Sequence, residues 1–134
     1  VVAYNFNSAF VEDVAAGRKR QTVRRHRKRH VRPGEFIQLF TGMRTRHCRK
    51  LTEIDPVCLR VDEIEIDVAV RGIAAMRING IPLSKEDQDA FARADGFGGF
   101  AFPLQTMGHW WRRIHGGGTF RGVVIIWSDP LRPH

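Results

Sequence analysis

The sequence predicts an α+β fold: a small, largely antiparallel barrel or curved sheet with about three helices beside it. Three observations carry this. Short apolar runs near period two, separated by turn signals, outnumber the stretches of helical periodicity. The three helical stretches do not alternate strictly with the strands, which argues against a doubly wound parallel sheet. The length, 134 residues of which 43% are hydrophobic and 27% charged, suits one domain with a core of useful size, so 1–134 reads as a single domain.

The elements follow in chain order. Asn5-Phe6-Asn7-Ser8 offers N-caps for a first helix whose stripe is Phe10, Val11, Val14 and Ala15 and whose stop is Gly17. Gln21-Thr22-Val23-Arg24 reads as a short strand or an extended loop. The basic run 24–32 leads to a turn at Pro33-Gly34, and 35–41 then alternates as a strand that Gly42 ends. Residues 48–51 and 57–70 are further strands on either side of Asp55-Pro56. Leu59, Val61, Ile64, Ile66, Val68 and Val70 form the expected core face, and the parity slip between Val61 and Ile64 predicts a bulge.

Residues 77–83 read as a turn with extended flanks. Ser84 caps a second helix with Glu86 and Asp87 in its first turn, where the helix dipole favours acids. It carries Phe91, Ala92 and Ala94 and stops at Gly96. A third helix begins at Pro103 or Leu104, bears Met107, Trp110, Trp111 and Ile114, and ends at Gly116-Gly117-Gly118. Residues 120–127 form a terminal buried strand.

Charge placement points to a partner. Residues 18–50 hold 13 Lys/Arg against one acid, Glu35, while the rest of the chain holds nine against 13 acids. A local net of +12 beside a remainder of −4 gives the total of +8, and such asymmetry favours a polyanion. A membrane surface fits poorly, because 18–32 has only Val23 and Val31 as large aliphatics and cannot build an apolar helix face. No apolar run approaches the ~20 residues of a membrane span. Val-Val-Ala-Tyr-Asn-Phe-Asn at the start has neither the basic nor the long apolar region of a secretory signal, so a cytoplasmic location is expected.

Several constellations carry no chemistry. Cys48 and Cys58 are too few for a disulfide scaffold. His26 and His30 share helical spacing but lack the Glu of a zinc-protease motif and lie among cations, so neither a metal nor another cofactor is expected. The triple glycine precedes no Lys-Ser/Thr and is read as a connector. Trp110-Trp111-Arg112-Arg113 can stack on bases, but adjacent helical residues point about 100° apart, so at least one Trp belongs to the core.

The most specific stretch is Gly17-Arg18-Lys19-Arg20-Gln21-Thr22-Val23-Arg24. Gly17, Lys19, Thr22 and Arg24 match G-x-K-x-x-T-x-R, and here the sequence resembles the ASCH family, the domain related to activating signal cointegrator. The resemblance extends through Pro33-Gly34-Glu35-Phe36-Ile37-Gln38-Leu39 and Thr41-Gly42-Met43-Arg44-Thr45, to Ala94-Asp95-Gly96-Phe97 and the Trp-bearing helix. It implies a PUA-like small β-barrel and chemistry or binding that involves RNA. Some small members look like amidohydrolases that deacylate N4-acylated cytidine, and others are linked to cleavage of single-stranded RNA. In the first type Lys19 would be the base, Thr22 the nucleophile and Asp95 the assisting carboxylate, where the family has the longer Glu.

The residues can be weighed apart from the family. A threonine hydroxyl becomes nucleophilic when a base takes its proton, and a neutral lysine can do so. On one strand Lys19 and Thr22 would face opposite sides, so the pair requires Lys19 in the loop before the strand. Binding requires less: Arg18, Lys19, Arg20, Arg24, Arg25, Arg27, Lys28, Arg29 and Arg32, with Arg44 and Arg46 beyond, can neutralise phosphates. Arginine prevails, and its planar fork suits phosphates and unpaired bases. Nine cations in one stretch exceed what a small-molecule hydrolase needs. The leading expectation is therefore RNA or nucleotide binding, with amide hydrolysis or RNA cleavage as enzymatic alternatives. A third reading sets the 44–50 stretch on an acidic protein.

Overall fold

The computed structural model describes residues 2–132. In chain order it contains β1 (Val2–Phe6), a 3-10 turn over Ser8–Phe10, α1 (Val11–Ala15), β2 (Gln21–Arg25), β3 (Ile37–Thr41), β4 (Arg49–Lys50) and β5 (Cys58–Ala69). There follow β6 (Gly72–Ile78), β7 (Ile81–Pro82), α2 (Lys85–Ala92), α3 (Pro103–His115) and β8 (Gly118–Trp127). The strands form two sheets, β1-β3-β4 and β2-β8-β5-β6-β7, and with three α-helices the fold is mixed α+β. Among the described residues these pairings close no barrel.

The described residues gather into two compact units, 2–22, 27–61 and 125–132 in the first and 23–26 and 62–124 in the second. In the first unit, alternation of Val2, Tyr4 and Phe6 buries one face of β1, a strand the sequence reading does not anticipate and whose end, Asn5-Phe6, it takes for helix N-caps. β1 pairs parallel with β3, Tyr4 opposite Leu39, so this sheet is not wholly antiparallel. Asn7 caps the next turn by accepting the Ala9 N–H at 2.9 Å, and Phe10 and Val14 turn their stripe into the core. Trp127 meets Phe6 edge-on, centroids 5.9 Å apart, and Ile37 and Leu39 of the same unit are wholly buried.

In the second unit, Ile78 pairs with Ile81 across Asn79-Gly80. Both turn residues have positive φ, 51° and 79°, as a two-residue hairpin requires. Ser84 Oγ accepts the Asp87 N–H at 3.1 Å and starts α2 as expected. α3 lies close on β6: a Cβ at Gly108 would stand 2.9 Å from Gly72 Cα. Its Met107 and Trp111 are buried and Trp110 is half-buried, so one indole does belong to the core.

Two expectations need correction. Leu59 and Val70 are exposed, 54% and 79%, whereas Ile64, Ile66 and Val68 are buried. Cys58 takes the inward position at the start of β5, and Val70 sits in the turn that follows the strand. The β5–β6 pairing, which covers Ile64–Ala69 of β5, has a register shift between Asp67 and Val68 that the sequence reading does not anticipate.

Candidate functional site

The first unit holds Lys19, Thr22 and most of the basic residues. α1 ends in a turn that Asp13 ties from both backbone and side chain. Its carbonyl accepts the Arg18 and Lys19 N–H groups at 2.9 and 3.0 Å, and its Oδ1 accepts Arg18 Nε at 2.8 Å. The turn needs Gly17. Its φ is +76°, and a Cβ there would stand 3.0 Å from Asp129 Oδ1. Gly17→Ala is expected to cost about 1–2 kcal/mol for the left-handed backbone and to lower the melting temperature by about 3–10 °C, read by circular dichroism.

Lys19 therefore enters from a loop, with β2 beginning only at Gln21. This is the placement that the Lys19–Thr22 pair requires. Lys19 is 3% exposed and Thr22 5%, and Lys19 Nζ lies 4.8 Å from the Phe10 ring centroid, a cation–π contact. Asp95 is 5% exposed, in the turn 93–97 of the second unit, where Gly96 has φ 110°. Among the described residues, Lys19 and Asp95 are the only charged side chains that are buried. A buried charge is costly enough to require a purpose or a partner.

The other sequence-predicted residues divide between the units. Arg18, Arg20, Arg27, Lys28, Arg29, Arg32, Arg44 and Arg46 are exposed in the first unit. Arg24 and Arg25 belong to the second, where Arg25 Cζ stands 5.2 Å over the Phe120 ring. His115 is pushed below the ordinary histidine range by burial and then by the Arg25 charge.

Two residues that the sequence reading did not single out organise the basic loop. Tyr4 accepts the Val31 N–H at 3.1 Å, lies 2.8 Å from His30 Nδ1 and carries Arg27 4.5 Å over its ring. Glu35 accepts the Arg32 N–H at 2.7 Å through one oxygen and Arg29 Nη2 at 2.7 Å through the other. The signals were legible: Val2-x-Tyr4-x-Phe6 alternates, and Glu35 is the one acid in 18–50. The Arg32 backbone bond, with the Arg29 and Arg32 charges, holds the Glu35 carboxyl below the usual Glu range.

A carboxylate lowered in the folded state adds stability above its unfolded pKa and loses it as pH falls through the folded value. The loop is therefore expected to stay braced at pH 5 and to loosen only below the ordinary Glu value of about 4.3. Amide exchange at Arg32 reads this, and Glu35→Gln is expected to remove the pH dependence.

No protein-family model, curated protein or solved structure matches this chain. The chemistry available is thus what the side chains themselves provide. Among the described residues no group of three or more His, Cys, Asp or Glu is arranged to hold a metal. His26 Nε2 lies 2.7 Å from Glu63 in the second unit, and His30 lies against Tyr4 in the first. Burial raises the Cys58 thiol above its usual pKa, which keeps it protonated and unreactive. No helix of the described residues is long and apolar enough to cross a membrane.

Proposed function

We propose that the chain is an ASCH-type, PUA-like domain that binds single-stranded RNA through the basic surface of its first unit. One observation carries the reading. Of the net +8, the first unit holds +7, with 13 Lys/Arg against six acids, and the second holds +1, with nine against eight. Coulombic attraction of that size concentrates a polyanion at the surface, and released counterions supply the binding free energy. The bracing of Arg27, Arg29 and Arg32 by Tyr4 and Glu35 supports it, because an ordered loop gives up little entropy on binding. The family assignment and its small barrel rest on the sequence resemblance, with the Gly17 turn in keeping with the signature glycine, and a cytoplasmic setting rests on the sequence's lack of a secretory-signal pattern.

A second reading is favoured by burial. Lys19 in its loop and Thr22 at the start of β2 are both shielded from water, as a base and nucleophile for hydrolysis of an N4-acylcytidine amide would be. In that reaction the Thr22 Oγ–H proton passes to neutral Lys19. Oγ attacks the acyl carbon, the cytosine amine leaves with a proton from Lys19, and water releases the acyl group. The resemblance adds Asp95, a residue of the second unit, as assisting carboxylate.

Fluorescence anisotropy with labelled single-stranded RNA over a salt series tests the first reading. The logarithm of affinity is expected to fall linearly with the logarithm of salt, and a flat response would sink it. N4-acetylcytidine turnover tests the second. Thr22→Val is expected to abolish turnover and leave RNA affinity unchanged, whereas undiminished turnover removes the nucleophile.

A further inference from the structure

The second unit contains an open pocket of about 460 Å³, within the usual size range of small-molecule sites. Arg71, Lys85, Arg93 and one acid, Asp89, line it. Asp89 is engaged with Arg93, Nε to Oδ2 2.9 Å. Lys85 Nζ reaches only neutral oxygens, the Ile73 carbonyl at 3.3 Å and Gln88 Oε1 at 3.4 Å. Arg71, in the turn before β6, has no ion pair among the described residues. Two positive charges therefore stand in the pocket without a carboxylate, although the second unit as a whole is close to neutral. The first turn of α3 forms another wall and carries no acid, so nothing there opposes an anion. Phe102 also lines the pocket, and the residue is 71% exposed. An exposed aromatic surface beside a charged cavity suits a planar ring.

We propose that this pocket binds a phosphate monoester of nucleotide size, its phosphate between Arg71 and Lys85 and its base against Phe102. Its lining shares no residue with the basic loop or with the Lys19–Thr22 pair. Its ligand is a free mononucleotide or the terminal phosphate of a nucleic-acid strand, which share this chemistry.

The test is calorimetric titration of the whole protein with AMP, adenosine and ribose 5-phosphate. AMP is expected to bind saturably and adenosine at least about tenfold more weakly, the scale of losing charge-assisted hydrogen bonds. Arg71→Glu and Lys85→Glu are each expected to weaken AMP by a similar factor, and circular dichroism confirms that they fold. Phe102→Ala is expected to weaken AMP and leave ribose 5-phosphate unchanged. A 5′-phosphorylated oligoribonucleotide that outbinds its 5′-hydroxyl form assigns the strand terminus as ligand, and AMP binding without that preference assigns the free nucleotide. Absence of saturable AMP binding, or AMP binding indifferent to Arg71→Glu, overturns the proposal. A variant lacking the basic-loop cations is expected to lose RNA and retain AMP, so the two sites fail or stand separately.

Discussion

Replacing Arg20, Arg27, Lys28 and Arg32 together by alanine is expected to weaken single-stranded RNA binding by about 100-fold or more in low salt. These are exposed cations of the first unit whose side chains form no salt bridge among the described residues. Each phosphate contact adds about 0.7 to the slope of log affinity against log salt for single strands, so four lost contacts flatten it by about 3. Arg18 and Arg29 supply the control, since Asp13 holds one at 2.8 Å and Glu35 the other at 2.7 Å. An alanine pair at those positions is expected to cost less affinity, because part of each charge is already neutralised. An unchanged slope in the fourfold variant would remove the basic surface from the binding mechanism.

The largest stability loss is expected at Trp111. Its ring is 2% exposed, with centroids 4.8 Å from Phe120 and 4.3 Å from His115. Trp111→Ala leaves a cavity between α3 and the strand that bears Phe120, at a cost of about 3–5 kcal/mol. That corresponds to a fall of roughly 10–25 °C in melting temperature. The indole Nε1 has no hydrogen-bond partner among the described residues, so packing accounts for the loss. Trp111→Phe, which keeps an aromatic ring and removes the unpaired N–H, is expected to recover most of it. A melting temperature within about 1 °C of the parent would contradict this packing role.

Much of the local structure was legible because its signals are local. Ser84 as a cap, Gly17 and Gly96 as stops, Asn79-Gly80 as a turn and one buried Trp on α3 each depend on a few neighbouring residues. The parallel pairing of β1 with β3 was not legible, since Val2 meets Ile37 only through a long-range contact. Nor was the exposure of Leu59, because alternation gives the period of a strand and not which parity faces the core. At the site, the family resemblance carried by the Gly17–Arg24 motif singled out Lys19, Thr22 and Asp95, all of which are buried. Alternation in β1 marks Tyr4 as inward-facing, but the groups it braces, the His30 ring and the Val31 backbone N–H, lie 26 and 27 residues on, and no short motif encodes that pairing.

The two units also differ in how the chain supplies them. The second is drawn almost wholly from one stretch, 62–124, whereas the first waits for residues 125–132 and so for Trp127, which packs on Phe6. During synthesis the second unit has its residues while the first still lacks a wall of its core. The packing of the unit that bears the basic surface is thus completed last, after the ribosome has made the end of β8, and the Phe6 side chain of β1 lacks its Trp127 neighbour until then. A nascent chain stalled before residue 125 would display Phe6 uncovered by its indole, a ready hold for a chaperone.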